Sequence, residues 1–84
     1  MITVKHNGVT YKATSGEFYE VDITDVTGED EHLTKYQFFY ALTVTREDIP
    51  GSKYRMYFYP DNDEPSEKSL IYGVWDRGTS GGWV

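Results

Sequence analysis

Residues 53–59, with the sequence KYRMYFY, most constrain what this chain can fold into. In a β-strand, successive side chains point to opposite faces of the sheet, so a half-exposed strand alternates apolar with polar residues. Every second residue from Tyr54 to Phe58 is apolar, while Tyr57 and Tyr59 place aromatic rings on the other face. The pattern predicts a strand whose second face also contacts something, either another part of the chain or a partner.

The same two-residue alternation recurs along most of the chain and predicts an all-β protein. Asn7 and Gly8 separate two alternating runs, and an Asn-Gly pair readily adopts the positive φ angles of a type I′ hairpin turn. The β-branched and aromatic residues of the longest run argue against a helix there. We expect six strands, at residues 2–6, 9–14, 18–26, 36–45, 54–59 and 70–76.

Residues 1–84 are few enough for a single domain. We expect the strands to form one small antiparallel domain, a meander rolled into a small barrel or a strongly bent sheet. Residues 77–84 make a glycine-rich C-terminal tail, which is either flexible or held in place by Trp83.

The alternation also predicts which side chains form the core. If each strand keeps its pleat, three strands share one inward-facing set: Tyr36, Phe38, Tyr40, Leu42, Val44, Tyr54, Met56, Phe58, Leu70, Tyr72 and Val74. In the third strand, Tyr19, Val21 and Ile23 share one face, whereas Val26 falls out of step with them. We expect either a bulge near Asp25 or the end of that strand.

Cysteine content and the absence of long apolar runs restrict where the protein could work. The chain contains no cysteine, which excludes disulfides and thiolate metal sites. Its first residues lack the basic segment and apolar run of a signal peptide. No window approaches the roughly 18 consecutive apolar residues that span a bilayer. The sequence therefore predicts a cytoplasmic protein without a membrane partner.

Acidic residues are concentrated in two stretches of a chain whose net charge is −6. Residues 61–67 carry one group, and residues 17–31 carry the other without any lysine or arginine: Glu17, Glu20, Asp22, Asp25, Glu29, Asp30 and Glu31. Binding to a phosphate backbone depends on clustered lysine and arginine, so direct nucleic-acid binding is not expected. A protein partner with a basic surface suits this charge better.

No catalytic or cofactor-binding constellation stands out. His6 and His32 lie in different contexts, and no serine has the Gly-x-Ser-x-Gly context of a hydrolase nucleophile. Residues 61–64 (DNDE) offer oxygen ligands for calcium, but Ser66 replaces the turn glycine of an EF-hand and flanking helices are missing. The glycines of residues 78–82 precede no lysine, which excludes a phosphate-binding loop. We expect a non-enzymatic protein without a cofactor or a metal ion.

Aromatic rings on the second face are the strongest candidates for a binding site. Phe39, Tyr57, Tyr59 and Trp75 all lie opposite the inward-facing set of their strands. If neighbouring strands bring these rings together at the surface, they form a patch of the kind that marks binding sites. The alternative is that a barrel wall, the turn at residues 46–51 or a returning tail covers them.

We expect a protein-binding module, whose sharper form is a small acidic inhibitor of the phage or mobile-element type that blocks a basic nucleic-acid-binding protein. Tyrosine and tryptophan suit such contacts because they combine large apolar bodies with polar tips. The predicted contact residues comprise the second-face rings and residues of the two acidic stretches: Phe39, Tyr57, Tyr59, Trp75, Glu29, Asp30, Glu31, Asp61, Asp63 and Glu64.

Two other functions use the same rings. In a carbohydrate-binding module, exposed tyrosine and tryptophan rings, Trp83 among them, would stack on sugars while Asp61 or Asp63 binds hydroxyl groups. In a homo-oligomer, the second aromatic face would be buried between copies of the chain. The sequence leaves both alternatives open.

Overall fold

A computed structural model of the chain describes residues 2–14, 16–27, 36–60, 64–78 and 82–84. The elements in chain order are β1 (Thr3–His6), β2 (Val9–Ala13), β3 (Tyr19–Asp22), α1 (Ile23–Thr27), β4 (Phe38–Arg46), β5 (Tyr54–Phe58), β6 (Ile71–Asp76) and β7 (Gly82–Trp83). All strand pairs are antiparallel, and together they form a curled half-barrel. The prediction of a small, strongly bent antiparallel domain is confirmed.

The β1–β2 hairpin turns at the predicted Asn-Gly pair. Asn7 has a φ of 51° and Gly8 a φ of 80°, both in the left-handed region that a type I′ turn requires. The register then runs from His6 opposite Val9 to Thr3 opposite Lys12. The local sequence therefore determines both the turn and the pairing of these strands.

Strand β4 is the centre of the sheet, in the order β1-β2-β4-β5-β6-β7. One edge of β4 pairs with β5, from Tyr40 opposite Phe58 to Val44 opposite Tyr54. Its other edge is shared by two strands, because β2 pairs with its C-terminal part and β3 with its N-terminal part. β2 and β3 therefore lie end to end along one edge of β4.

The third strand ends earlier than predicted, and a short helix replaces its last residues. The predicted strand at residues 18–26 is confirmed only for β3, and α1 begins at Ile23. The Asp22 carboxylate accepts hydrogen bonds from the backbone N and the Oγ1 of Thr24, at 2.9 and 2.8 Å. This is an N-cap, and the two bonds hold the pKa of Asp22 below its ordinary value. No helix within the described ranges is long and apolar enough to cross a lipid bilayer.

Both faces of the sheet carry an apolar cluster. The first cluster gathers buried residues from five strands, as expected for the concave side of a curled sheet: Val4, Tyr11, Leu42, Val44, Tyr54, Met56, Phe58 and Val74. The second cluster is buried against α1 on the opposite face and comprises Val21, Val26, Phe39, Ala41 and Tyr57. The predicted inward set on β4 and β5 is confirmed from Leu42 to Val44 and from Tyr54 to Phe58.

Three members of the predicted inward set lie elsewhere. Leu70 precedes β6 and is 63% exposed, and Tyr36 precedes β4, so the pleat does not extend to either residue. Tyr57 of β5 pairs with Gly73 of β6, but the next residue of β5, Phe58, pairs with Ile71. This bulge inserts one extra residue, Tyr72, which moves to the second cluster while Ile71 packs against the first.

The end of the chain belongs to the sheet. β7 pairs with β6, placing Trp83 opposite Trp75, and the N–H of Val84 donates to the carbonyl of Val74 at 2.8 Å. The sequence left open whether the tail is flexible or held in place by Trp83. For residues 82–84, the structure agrees with the second interpretation.

Replacing Gly8 by alanine is expected to destabilise the protein by about 1–2 kcal/mol, because a Cβ is unfavourable at a left-handed φ. Chemical denaturation followed by circular dichroism measures this loss. Gly78→Ala is the matched control, since a Cβ there meets only ordinary van der Waals contacts and its φ is not positive. Equal stability of the two variants would contradict this account of the turn.

Candidate binding site

The four rings that the sequence places on the second face lie in one cluster. Phe39 is fully buried and Tyr57 is 4% exposed, whereas Tyr59 and Trp75 are half-buried and pack against them. The rings therefore meet, as one of the two sequence interpretations requires. They are nevertheless largely covered by other parts of the same chain, as the alternative interpretation predicts.

The rings form one connected network, called the ring cluster here: Tyr36, Phe39, Tyr57, Tyr59, Tyr72, Trp75 and Trp83. Neighbouring ring centroids lie between 5.0 Å, for Phe39 and Tyr72, and 5.7 Å. Trp83 packs edge-to-face on Tyr57, Tyr72 and Trp75, with interplanar angles of 63–84°. These are favourable ring geometries, so Trp83 joins the rings of β5 and β6 into one layer.

The position of Trp83 depends on Gly73. A Cβ built on Gly73 would lie 3.0 Å from Cε3 and Cζ3 of the Trp83 indole. The absence of a side chain at this position lets the indole pack directly on the β6 backbone. Trp83 is still 46% exposed, so its outer surface remains available for contact.

A surface pocket of about 270 Å³ lies between α1 and the β5–β7 part of the sheet. We call it the α1–β7 pocket, and its lining residues are Asp25, Val26, Arg55, Tyr57, Trp75, Arg77 and Trp83. Two arginines and one aspartate line it, so the pocket carries a positive charge within a protein of net charge −6. Its walls are aromatic because it lies at the margin of the ring cluster.

Arg55 is the most constrained polar group of the pocket. Its Nη1 donates to the hydroxyl of Tyr57 at 3.3 Å, and its guanidinium carbon lies 5.8 Å from the centroid of the Tyr19 ring. Burial alone would lower the pKa of this group, but the bond to Tyr57 and the interactions with both tyrosines outweigh it and raise the pKa. Arg55 is therefore charged at any physiological pH.

The third nitrogen on the Arg55 guanidinium, Nε, differs from Nη1. This Nε is buried and has no hydrogen-bond partner within the part of the chain that the structure describes. Unpaired buried donors are rare in folded proteins because each keeps the cost of losing its water without a compensating bond. Because this Nε has almost no accessible surface, it is covered by the chain itself and carries that cost within the fold.

Most of the predicted acidic contact residues fall outside the part of the chain that the structure describes. Glu29, Asp30, Glu31, Asp61 and Asp63 lie outside the described residues, as does His32. Glu64 is described and exposed. The described acids of residues 17–25 are all exposed, and we refer to this stretch of the sequence as the acidic strip: Glu17, Glu20, Asp22 and Asp25.

Sequence reasoning missed the two arginines, and it placed the rings of Tyr36 and Tyr72 on the wrong face. Arg55 could have been found, because it lies two residues before Tyr57 and strand alternation places both on one face. Tyr72 could not, because only the bulge in β6 moves its ring to the second cluster. Arg77 follows β6 directly, and no local pattern points to it.

We find no protein family, curated protein or solved structure that matches this chain. The interpretation of the site accordingly rests on its geometry and chemistry. Two features define the site: a partly exposed tryptophan and an adjoining pocket with two arginines.

Replacing Gly73 by alanine should displace Trp83 and lower the free energy of unfolding by about 1–2 kcal/mol, the usual cost of overpacking. The near-ultraviolet circular dichroism, which reports ring packing, should weaken at the same time. Gly78→Ala is again the control and should leave the spectrum unchanged. An unaltered spectrum of the Gly73→Ala variant would show that Trp83 does not depend on this glycine.

Proposed function

We propose that this chain is a non-enzymatic protein-binding module whose contact surface is Trp83 with the adjoining α1–β7 pocket. The observation that carries the proposal is a tryptophan, exposed to 46%, beside a pocket lined by Trp75 and two arginines. Tryptophan, tyrosine and arginine are the residues most enriched where binding energy concentrates in protein interfaces. The partly buried ring layer beneath keeps Trp83 in a defined position before binding, which reduces the entropy lost on association.

The charge of the surroundings supports a partner with a basic surface. The acidic strip is exposed, and residues 16–27 contain no lysine or arginine. Asp25 belongs to the strip and also lines the pocket, so one acid of the strip lies beside the pocket arginines. Opposite charge on a partner would speed its approach and fix its orientation. A finer form of the proposal is an inhibitor that covers the nucleic-acid-binding surface of such a partner.

The two alternative functions have weaker support. Sugar rings stack on exposed, flat ring faces, but Trp75 and Trp83 meet at 84° and pack edge-to-face against each other. A symmetric dimer through Trp83 would bring the two arginines of each pocket into one interface, and like charges that face each other across an interface are unfavourable. A different protein of opposite charge avoids both difficulties.

Replacing Trp83 by alanine should weaken partner binding about 30-fold or more, the loss typical of a central interface residue. The partner is captured from lysate on the immobilised chain, identified, and its affinity measured by calorimetry. Ile49→Ala is the matched control, because Ile49 is equally exposed at 45% and lies in the turn between β4 and β5. Unchanged affinity of the Trp83→Ala variant, with its fold intact, would exclude this surface.

Neutralising the acidic strip tests the charge of the partner. We expect the double variant Glu17→Gln/Glu20→Gln to bind several-fold more weakly and to show a smaller dependence of affinity on salt concentration. The exposed acids Glu47 and Glu67, changed together to glutamine, form the control of equal charge. A partner whose affinity ignores ionic strength would exclude the nucleic-acid-mimic form of the proposal.

A further inference from the structure

The second face of the sheet is aromatic in one half and polar in the other. Residues directly opposite each other in antiparallel strands point to the same face, so the registers show which side chains share the polar half. Lys5 of β1 lies opposite Thr10, and Lys12 of β2 lies opposite Thr3 on one side and Thr45 of β4 on the other. The residues that alternate with them in β1 and β2 belong to the first cluster. Both lysines therefore lie on the second face, beside threonines.

A surface pocket of about 560 Å³ continues this polar half toward β5 and β6. Lys53 and Arg77 meet there, because the N–H of Arg77 donates to the carbonyl of Lys53 at 3.0 Å. None of the described residues that line the pocket is acidic. Its polar lining consists of hydroxyl groups and two cations: Thr14, Thr43, Thr45, Ser52, Lys53 and Arg77.

Four exposed cations and the hydroxyl groups between them make up what we call the basic face. The cations lie in β1, in β2, directly before β5 and directly after β6: Lys5, Lys12, Lys53 and Arg77. None of the four forms an ion pair with a residue in the described ranges. They are far apart in the chain, so no cluster is visible along the sequence, and only the sheet brings them to one surface.

The cations of the basic face form a row that runs across the strands. β1, β2, β4, β5 and β6 are consecutive neighbours in the sheet, and neighbouring strands lie about 4.8 Å apart. The row from Lys5 to Arg77 therefore spans roughly 19 Å. The threonine hydroxyls of β4 occupy its middle. A row of this length matches a linear chain of anions better than a single ion.

Phosphate groups suit the basic face better than carboxylates. Three of its four cations are lysines, which bind phosphate as point charges, whereas a carboxylate is best matched by the planar fork of arginine. Threonine and serine hydroxyls are regular partners of nucleic-acid phosphates, together with lysine and arginine.

The margins of the basic face favour a single strand over a duplex. Asp25 shares the α1–β7 pocket with Arg77, and Glu47 lies beside Thr10 at the other end of the face. A rigid duplex, with one charge per about 1.7 Å, would be repelled by acids on either side. A flexible single strand can follow the outer side of the curled sheet between them.

We propose that the basic face binds the phosphate backbone of a single-stranded nucleic acid. The four cations neutralise phosphates along the row, and the hydroxyls of Thr43 and Thr45 donate to the phosphates between them. This function goes beyond the proposed protein binding and uses a surface that meets the α1–β7 pocket only at Arg77. It differs from the expectation drawn from the sequence, in which these cations are not clustered.

The test measures the fluorescence anisotropy of a labelled oligothymidylate of about 12 nucleotides, a length within the range that small β domains bind. Saturable binding is expected at low salt concentration. A plot of log affinity against log salt concentration should have a slope of about −2.8, that is about −0.7 for each of four neutralised phosphates. The chain is tested alone, so the result does not depend on whether a protein partner binds at Trp83.

The double variant Lys12→Gln/Lys53→Gln should bind about tenfold more weakly or worse at low salt, and its slope should fall to about −1.4. Arg46→Gln/Lys68→Gln is the control of equal charge, because Arg46 lies opposite Tyr11 on the first face and Lys68 precedes β6. The control should keep most of the affinity and the full slope. Circular dichroism verifies that both variants are folded.

Four results would overturn the proposal. These are the absence of saturable binding, equal weakening by the two double variants, tighter binding of the corresponding duplex, and equally tight binding of a polyglutamate peptide. Equal weakening would indicate a general effect of net charge. Tight binding of polyglutamate would indicate a surface for acidic protein segments.

Discussion

The structure depends on covering the second face of a single sheet. The first face is covered by the curl of the sheet itself, since the first cluster draws residues from β1, β2, β4, β5 and β6. The second face has no other sheet within the described residues and is covered by small pieces, namely α1, Tyr36 and β7. Apolar surface left in water costs about 25 cal/mol per Å², so a face this rich in rings must be covered for the domain to be stable. The proposed binding site lies where that cover ends.

Two backbone details of β6 make the cover possible. The bulge turns the ring of Tyr72 to the second face, where it bridges Phe39 and Trp83. One residue later, Gly73 leaves room for the Trp83 indole against the backbone. A regular strand with a side chain at position 73 would provide neither contact. Trp83 would then have no defined position, and the pocket would lose one of its walls.

Much of the fold could be predicted from alternation and from one turn. Asn7 and Gly8 determine the first hairpin, and the pleat assigns the core residues of β4 and β5 because both strands are regular there. The errors occur where regular pairing stops. The Asp22 cap starts a helix inside a run of alternating residues, and its local hydrogen bonds to Thr24 compete with the strand pattern there. The candidate site was predicted as far as its rings. Alternation also places Arg55 on the face of Tyr57, whereas no local pattern points to Arg77 beyond the end of β6.

The end-to-end arrangement of β2 and β3 on one edge of β4 also affects how the sheet assembles in time. Pairing β4 with β5 closes a short loop, because Val44 and Tyr54 are partners. Pairing β4 with β2 joins Ala13 to Val44 and closes a loop about three times longer, which costs about 1 kcal/mol more in chain entropy. The β4–β5 hairpin is therefore the less costly unit to form first, and it presents β4 as a template. Two separate segments of the N-terminal half, β2 and β3, must then pair end to end with the same edge of β4, so a shift of one along β4 would exclude the other.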